Sequence, residues 1–317
     1  MNILFVSSGN SQYVIVPFIR NQAESLKKQG VHVDFFPIIG KGFSGYLKSI
    51  SKLRIYIRKN NFDIIHAHYS LIGLVALLTF SKKPIVLSLM GSDTYGDYDI
   101  NGKRILSSYF PMLITQIIQP FVNTLVVKSK NLYKYVYRPK VTNLIPNGVN
   151  FDRFKPMDKV ICRNELKIPL NKKIILFLAD SENPRKNYQL LEKALPHVAQ
   201  KEIEIINPYP IDNKEFPLYL NACDVFALTS YNEGSPNVIK EAMACNCPII
   251  STDVGDVKEV ISGVDGCYIT SFNEKDLADK IDKAIDFGSR TKGRKHINHL
   301  REEKVATKLI GIYKTLI

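Results

Sequence analysis

Short runs of β-branched and aliphatic residues recur along the chain, and between them apolar residues fall every three or four positions, the spacing of amphipathic helices. In the first half the runs lie at Asn2–Ser7, Val31–Phe36, Asp63–His66, Pro84–Leu89, Thr124–Lys128 and Thr142–Ile145. In the second they lie at Lys173–Ala179, Glu202–Ile206, Asp224–Leu228, Cys247–Ser251 and Gly266–Ile269. Strands spaced by helices in this way predict parallel βαβ units with right-handed crossovers, and therefore sheets covered on both faces. The expected class is α/β, with two doubly wound parallel-sheet domains, 1–150 and 151–317, joined by IPNGVNFDRFKP at 145–156 with its Pro and Asn-Gly punctuation. The last helical pattern, about Thr291 to Leu316, has no strand after it and is placed to lie across either domain, including back across the first. Ligands of such sheets sit beyond the carboxyl ends of the strands, so the cleft between the domains is the expected site.

A length of 317 residues suits two domains, and the composition excludes collagen-like or largely disordered chains. The five cysteines are odd in number, confined to the second half and without paired C-x-x-C spacing, which reads as buried, reduced thiols. The longest mainly apolar stretch, Leu71 to Phe80, falls short of the roughly 18 residues of a membrane span. The amino terminus, MNILFVSSGN, has no basic run ahead of its apolar stretch. A soluble, cytoplasmic protein is expected. Charge changes this only by its distribution. Residues 1–158 hold 20 Lys/Arg against 8 Asp/Glu, a surplus of +12, whereas residues 159–317 hold 23 against 22. The first half therefore suits an anionic partner. Within it, Ser44 to Asn60 places Tyr46, Ile50, Leu53 and Ile57 on one stripe, with Lys48, Lys52 and Lys59 largely off it and Arg54 and Arg58 nearby. That pattern suits a basic helix resting on an anionic membrane surface, peripheral on the cytoplasmic face, and equally a domain helix with a solvated basic face. No nucleic-acid reader motif accompanies the charge, so nucleic acid is not an expected partner.

The most informative segment is SYNEGSPNVIKEAMACNCP, residues 230–248. It follows the apolar run DVFAL and opens a helical pattern with Ser235 expected as N-cap and Pro236 at the first helical position. The unbonded N–H groups and positive dipole end there suit a phosphate or diphosphate, and Gly234 lets the backbone approach it closely. Glu233 lies in the loop and Glu241 eight residues on, inside the helix. Carboxylates accept hydrogen bonds from hydroxyls, so the pair suits a sugar on one side of the phosphate and a ribose on the other. A capping acid and a solvated helix residue would fit the same two positions.

The pattern E-G-x-P-N-x-x-x-E-A-M-A resembles the donor-site signature of retaining glycosyltransferase family 4, whose members have the GT-B fold of two Rossmann-like domains facing across a cleft. The resemblance extends over nearly the whole chain, through IPNGVNFDRFKP, PRKN at 184–187, TDVGDVKEVI at 252–261, and DIIHAH with LMGSDTYG in the first half. It implies that Glu233 meets the transferred sugar, that Gly234, Ser235, Pro236, Asn237 and Val238 meet the sugar and diphosphate, and that Glu241 holds the ribose. Lys186 matches the family lysine that neutralises the departing nucleotide, a charge-assisted hydrogen bond of about 1.5–3 kcal/mol. Many members have Arg six residues before that lysine; here it is Asp180. Either Arg185 supplies the second clamp, or Lys186 acts alone, or Asp180 faces away. The segment Asn207 to Pro210, with Tyr209 against the donor, is expected to shape donor selectivity.

In the first half, Gly9 and Asn10 end the first strand without a side-chain barrier, leaving room for a donor or acceptor. His66 and His68, two apart on extended chain, share a face and are expected to form a polar wall, since no third metal ligand is evident. By the resemblance, Asp93 matches a family acid near the acceptor and sugar. Met90 stands where many relatives have His, leaving Asp93, His68 or the backbone to supply that hydrogen bond. Two motifs are set aside. Gly40-Lys-Gly-Phe-Ser-Gly45 fits G-x-G-x-x-G but follows the second strand rather than the first. Asp97-Tyr-Asp99 fits the D-x-D of the other major glycosyltransferase fold but sits in a polar loop. No metal and no cofactor is expected.

The resemblance implies a metal-independent hexosyltransferase that moves a sugar from a nucleoside-diphosphate sugar, such as a UDP-sugar, to a glycan or lipid-linked acceptor in cell-surface polysaccharide or lipid-linked glycan synthesis. Two alternatives stand beside it: a nucleotide-sugar epimerase or hydrolase of the same fold, and a non-catalytic membrane-associated transferase subunit, suggested by Asp180 and Met90.

Overall fold

The structure, a computed structural model, describes the chain apart from residues 12, 41, 100–102 and 213, and apart from the side chains of 42–44. Unit 1 comprises Met1–Asp97, Arg104–Gly148 and Glu302–Ile317; unit 2 comprises Tyr98–Lys103 and Val149–Arg301. Unit 1 runs β1 (Asn2–Ser8), α1 (Pro17–Lys27), β2 (His32–Ile38), α2 (Gly42–Lys59), β3 (Ile64–His68), α3 (Ser70–Leu78), β4 (Ile85–Leu89), α4 (Ser92–Tyr95), α5 (Tyr109–Ile118), β5 (Thr124–Val127) and β6 (Thr142–Leu144). Unit 2 runs α6 (Lys159–Glu165), β7 (Lys173–Leu176), α7 (Tyr188–Ala194), β8 (Ile203–Ile206), α8 (Phe216–Ala222), β9 (Val225–Leu228), α9 (Asn237–Ala244), β10 (Ile249–Thr252), α10 (Val257–Ile261), β11 (Cys267–Thr270), α11 (Glu274–Asp286) and α12 (Gly293–His296). The chain then enters α13 (Glu302–Lys314) of unit 1. Each apolar run read from the sequence is a strand, with shifted ends.

Both sheets are parallel, in the orders β2-β1-β3-β4-β5-β6 and β11-β10-β9-β7-β8. Strand alternation divides each core into two layers. In unit 1, Leu4 and Val6 meet Leu53, Ile72 and Ile114 on one face, and Ile3 and Phe5 meet Ile19, Leu309 and Tyr313 on the other. In unit 2, Ile174 and Leu176 meet Leu220, Ile239 and Met243, and Ile175 and Phe177 meet Leu191, Leu277 and Ile281. The chain reverses its direction of travel across each sheet once, between β1 and β3 and between β7 and β9. Crevices at the carboxyl ends of such strand pairs are where open α/β sheets bind ligands. Gly9 and His68 lie at the first switch, and the loops bearing Lys186 and Glu233 at the second.

Two expectations change. The terminal pattern is not one helix: α12 and a 3-10 turn, Asn298–Leu300, stay in unit 2, and a new helix starts at Glu302 and packs in unit 1, so 302–317 lie outside the division drawn at 151. Tyr313 on this helix is fully buried and reaches His66. The apolar stripe of α2 is spent on the core: Leu53 and Ile57 are buried, with Tyr46 and Ile50 packed beside them. Arg54 turns inward to donate to the carbonyls of Leu78 and Thr79, 2.9 Å each. The stripe of Tyr46, Ile50, Leu53 and Ile57 is therefore taken by the core rather than left for a leaflet, and among the described side chains of α2 Leu47 and Ile55 are the exposed large apolar ones. Gly40 and Gly45 come into contact, a Cβ on Gly40 falling 3.0 Å from the Gly45 Cα, so these glycines serve chain packing; Lys41 and the side chains of 42–44 in that motif lie outside the described residues. No described cysteine is bridged, and no described helix is long and apolar enough to cross a membrane.

Candidate functional site

In unit 2 the loops following β7 and β9 are tied together at the switch point. Thr229, the first residue past β9, donates its hydroxyl to the carbonyls of Lys186 (3.0 Å) and Asn187 (2.9 Å), and the Tyr231 N–H donates to the Arg185 carbonyl at 2.9 Å. Asn183 caps the 3-10 turn Pro184–Lys186 by accepting from the Arg185 N–H, and Asn187 ends it in the left-handed region at φ 52°. This geometry sets both cations on Glu233. Lys186 Nζ lies 2.6 Å from Oε1, Arg185 Nη1 lies 3.2 Å from Oε2, and the Ser230 hydroxyl donates to Oε1 at 3.0 Å. Burial alone pushes the Glu233 carboxyl up, but Lys186 and Arg185 more than reverse this, and its pKa falls below the usual value. Of the arrangements open around Asp180, the structure has Arg185 beside Lys186. Asp180 itself accepts from the Glu182 N–H at 3.0 Å.

Ser235 is not the helix cap. Helix α9 starts at Asn237, with Pro236 in the capping position and no side chain on the first amides, since proline has no group to offer them. The Ser235 hydroxyl instead donates to Asp256 Oδ2 at 2.8 Å and accepts from Lys240. Lys240 and Asp256 pair at 2.8 Å with only 1% and 4% of their side chains exposed. A buried ammonium needs acceptors, and this one recruits the hydroxyl that the helix start would have used. The close approach expected at Gly234 is made against it by Gly255: at φ +59°, a Cβ there would fall 2.8 Å from the Gly234 carbonyl oxygen. The loop 233–235 is thus clamped by 255–256. Around it gather buried polar atoms with no hydrogen-bond partner among the described residues: both side-chain heteroatoms of Asn232, Oδ1 of Asn237 and Oδ1 of Asp256. Each such atom costs about 1–3 kcal/mol when left without a partner, so their concentration at one loop suits a group that offers hydrogen bonds.

Glu241 follows on α9, and among the described residues no hydrogen bond reaches its carboxylate. Burial pushes its pKa up to about 7 against the pull of Arg153 and Lys240. Tyr209, in the loop after β8, is 49% exposed and shares no hydrogen bond with Arg185, Lys186 or Glu233 among the described residues.

Unit 1 alters the roles expected there. A Cβ on Gly9 would fall 2.9 Å from the Pro37 Cβ and 3.0 Å from Ile39 Cγ1, so packing against β2 requires glycine at this position, and the space read as an approach for ligand belongs to the fold. Asn10 grips Gly40 in both directions, at 2.8 and 3.0 Å. Asp93 is fully buried and works as a staple: Oδ1 accepts from the amides of Met90 and Gly91 (2.9 Å each) and Oδ2 from that of Ser70 (3.0 Å). Burial raises its pKa to about 6 in spite of these bonds. Its carboxylate orders the starts of α3 and α4, which makes it a positioning residue. His66 and His68 are buried and stacked at 4.3 Å, so they form part of the interior rather than a polar wall. His66 bonds Tyr313 (2.5 Å) and Ser88 (2.8 Å), whereas neither ring nitrogen of His68 has a partner among the described residues. Burial, then the Lys128 charge, holds the His68 pKa well below its usual value.

Sequence reasoning missed Lys240, Asp256 and Asn232. One signal was available: Lys240 stands three and four residues before Met243 and Ala244, on their buried stripe, with an acid in the next loop. Among the described residues no group of three His, Cys, Asp or Glu is placed to hold a metal.

Residues 5–153 match the family model described as Glycosyltransferase Family 4, and residues 208–286 the one described as Glycosyl transferases group 1. The chain is a glycosyltransferase family 4-type protein with the GT-B fold. Solved structures agree on the fold of this family 4 chain. Sucrose-phosphate synthase from Thermosynechococcus elongatus superposes with a TM-score of 0.80 at 19% identity, covering 99% of this chain and 98% of that one. Anabaena HepE in complex with UDP and glucose gives 0.76 at 16%, covering 99% of each. Among curated relatives, Bacillus subtilis TuaC, named as a glycosyltransferase of teichuronic acid biosynthesis, is 26% identical over 266 residues, 75% of this chain and 64% of that one. The GPI3 subunit of the Saccharomyces cerevisiae phosphatidylinositol N-acetylglucosaminyltransferase is 22% identical over 292 residues, 80% of this chain and 62% of that one. The family 4 chain thus spans a little under two thirds of the length of these relatives.

Proposed function

We propose that the chain transfers a hexose-type sugar, with retention, from a nucleoside-diphosphate sugar to the hydroxyl of a glycan or lipid-linked acceptor in cell-surface glycan synthesis. The observation that carries this reading is the pairing of Lys186 and Arg185 on Glu233 at the sheet's switch point, ringed by the unpartnered atoms of Asn232, Asn237 and Asp256. Two cations beside uncapped helix amides suit a diphosphate, and a carboxylate among them suits a sugar hydroxyl. In the reaction the bond between the sugar carbon and the diphosphate oxygen breaks, the acceptor oxygen bonds that carbon from the same face, and the acceptor proton passes to the departing diphosphate. Lys186 and Arg185 offset the charge that develops there, so no divalent ion is required. Glu233 orients the sugar and Glu241 the ribose. A UDP-sugar is the leading donor, since a neighbour of this fold, HepE, forms a complex with UDP and glucose.

The test is a thermal-shift screen against UDP- and GDP-sugars, followed by product analysis in EDTA. A nucleotide at 100 times its Kd adds about 2.7 kcal/mol of apparent stability, a rise of several degrees. Release of nucleoside diphosphate that depends on acceptor and persists in EDTA is expected. Turnover restored only by a divalent metal would remove the metal-free mechanism, and epimerised or hydrolysed donor without acceptor would give the chain to the other enzyme class.

Glu241 makes donor binding depend on pH. Ribose hydroxyls donate to the ionised carboxylate, whose pKa of about 7 leaves it mostly protonated in mildly acidic solution. Binding therefore strengthens as pH rises through 7. The affinity for a nucleotide sugar is expected to be about tenfold higher at about pH 8 than at about pH 6. In Glu241→Gln that dependence flattens, as titration calorimetry at the two pH values will show.

A further inference from the structure

Helix α5 is apolar on two sides. Ile114 and Ile118 enter the core of unit 1, whereas Tyr109, Phe110, Leu113 and Ile117, with Phe121 just beyond, are exposed. Positions 109, 113, 117 and 121 fall at four-residue steps, one stripe along one side of the helix. Leu106, one turn earlier, is 84% exposed and Phe121 68%. Single exposed apolar side chains are ordinary, but a contiguous stripe marks an interaction face. A helix of 10 residues is too short to span a bilayer, so this stripe suits contact along an apolar boundary.

Charge decides what covers it. Between residues 100 and 151 the sequence has no Asp or Glu and seven Lys or Arg. The segment after β5 packs along α5: the side-chain amides of Gln116 and Gln119 each donate to the Tyr135 carbonyl at 3.0 Å, and the Tyr137 hydroxyl donates to the Gln116 carbonyl at 2.7 Å. This brings exposed Lys134 next to α5, its ammonium 5.4 Å from the Tyr135 ring, while the Arg104 guanidinium stands 5.5 Å from the Tyr109 ring at the start of α5. A second copy on this face would set mostly cations against cations, with Asp97, beside Ile105, an acid at its edge. An anionic leaflet meets both features at once, apolar chains for the stripe and lipid phosphate for the cations.

We propose that α5 docks unit 1 on an anionic lipid surface, with Leu113, Ile117 and Phe121 entering the boundary between headgroups and acyl chains and Lys134 facing lipid phosphate. This contact needs no nucleotide sugar, so it stands or falls apart from the transfer reaction. The chain has no tryptophan, so Phe110→Trp supplies a single reporter. Its emission is expected to shift to the blue with vesicles of phosphatidylcholine and phosphatidylglycerol in equal parts, and much less with phosphatidylcholine alone. Phe80→Trp, at the exposed Phe80 elsewhere in unit 1, is expected to show no shift. Replacing Leu113, Ile117 and Phe121 together by Ser lowers co-flotation with the anionic vesicles by about tenfold or more, with a small change in unfolding temperature because more than half of each side chain is already in water. The proposal is overturned if the Phe110→Trp reporter stays silent, if the triple variant floats like the parent, or if the shift moves to the Phe80→Trp reporter. A blue shift that grows with protein concentration without vesicles also overturns it, giving the stripe to a second copy.

Discussion

Lys186→Ala lowers kcat for glycosyl transfer by about 10²- to 10³-fold, with a much smaller change in KM for the nucleotide sugar. The split follows from what the ammonium faces at each stage. Lys186 rests 2.6 Å from Glu233, so part of its charge is already met before the donor bond breaks. Extra negative charge appears on the diphosphate only as that bond breaks, and a donor aimed there is worth most in the transition state. Arg185 is more exposed and its contact with Glu233 is longer, 3.2 Å, so Arg185→Ala is expected to cost only about tenfold. Folding is little affected in the Lys186 variant, because Glu233 keeps Arg185 and Ser230 as partners. Steady-state kinetics with the unfolding temperature as control checks this. A rise in KM with kcat intact would reduce Lys186 to a binding residue, and parental rates would take the chemistry away from this loop.

What the sequence disclosed about the fold was whatever rests on local periodicity. Buried strands such as Thr124–Val127 and Val225–Leu228 are apolar throughout, because a parallel strand has two covered faces, and that pattern survives without neighbours. Which apolar stripe meets the core is a tertiary question. Helix α2 has the basic amphipathic pattern of a surface element, and its apolar stripe is inside; α5 is apolar on two sides, and Tyr109, Phe110, Leu113 and Ile117 are outside. The site divided along the same line. Glu233, Lys186 and Arg185 stand near chain turns whose residue types are distinctive, and the structure brings them together. Asp93 has an equally distinctive setting, yet its carboxylate is used up by three backbone amides, a fact set by loops from two separate strands. Ser235 was one position early as a cap, since the choice between capping a helix and joining a buried ion pair depends on Asp256, 21 residues away.

That ion pair carries the second large effect. Lys240→Ala leaves Asp256 buried without its counter-charge, and is expected to destabilise the fold by about 3–5 kcal/mol, lowering the unfolding temperature by about 10 °C. The cost arises from the group left behind rather than from the bond removed. A carboxylate with 4% exposure has already lost its water, and the Ser235 hydroxyl alone replaces little of it. Replacing both partners by apolar residues, as in Lys240→Met with Asp256→Ala, removes the orphaned charge and is expected to recover most of the stability. The double variant then separates folding from function. Lys240 and Asp256 hold Ser235, and Gly255 presses on the Gly234 carbonyl, so together they set the loop that starts α9. With the pair gone, a stable protein should bind nucleotide sugar more weakly, because the loop amides are no longer held in place before the diphosphate arrives. Calorimetry on the double variant is the decisive measurement: restored stability with weakened binding assigns the pair to the site, by holding the loop or through the open Oδ1 of Asp256, whereas restored stability with parental binding confines it to the core.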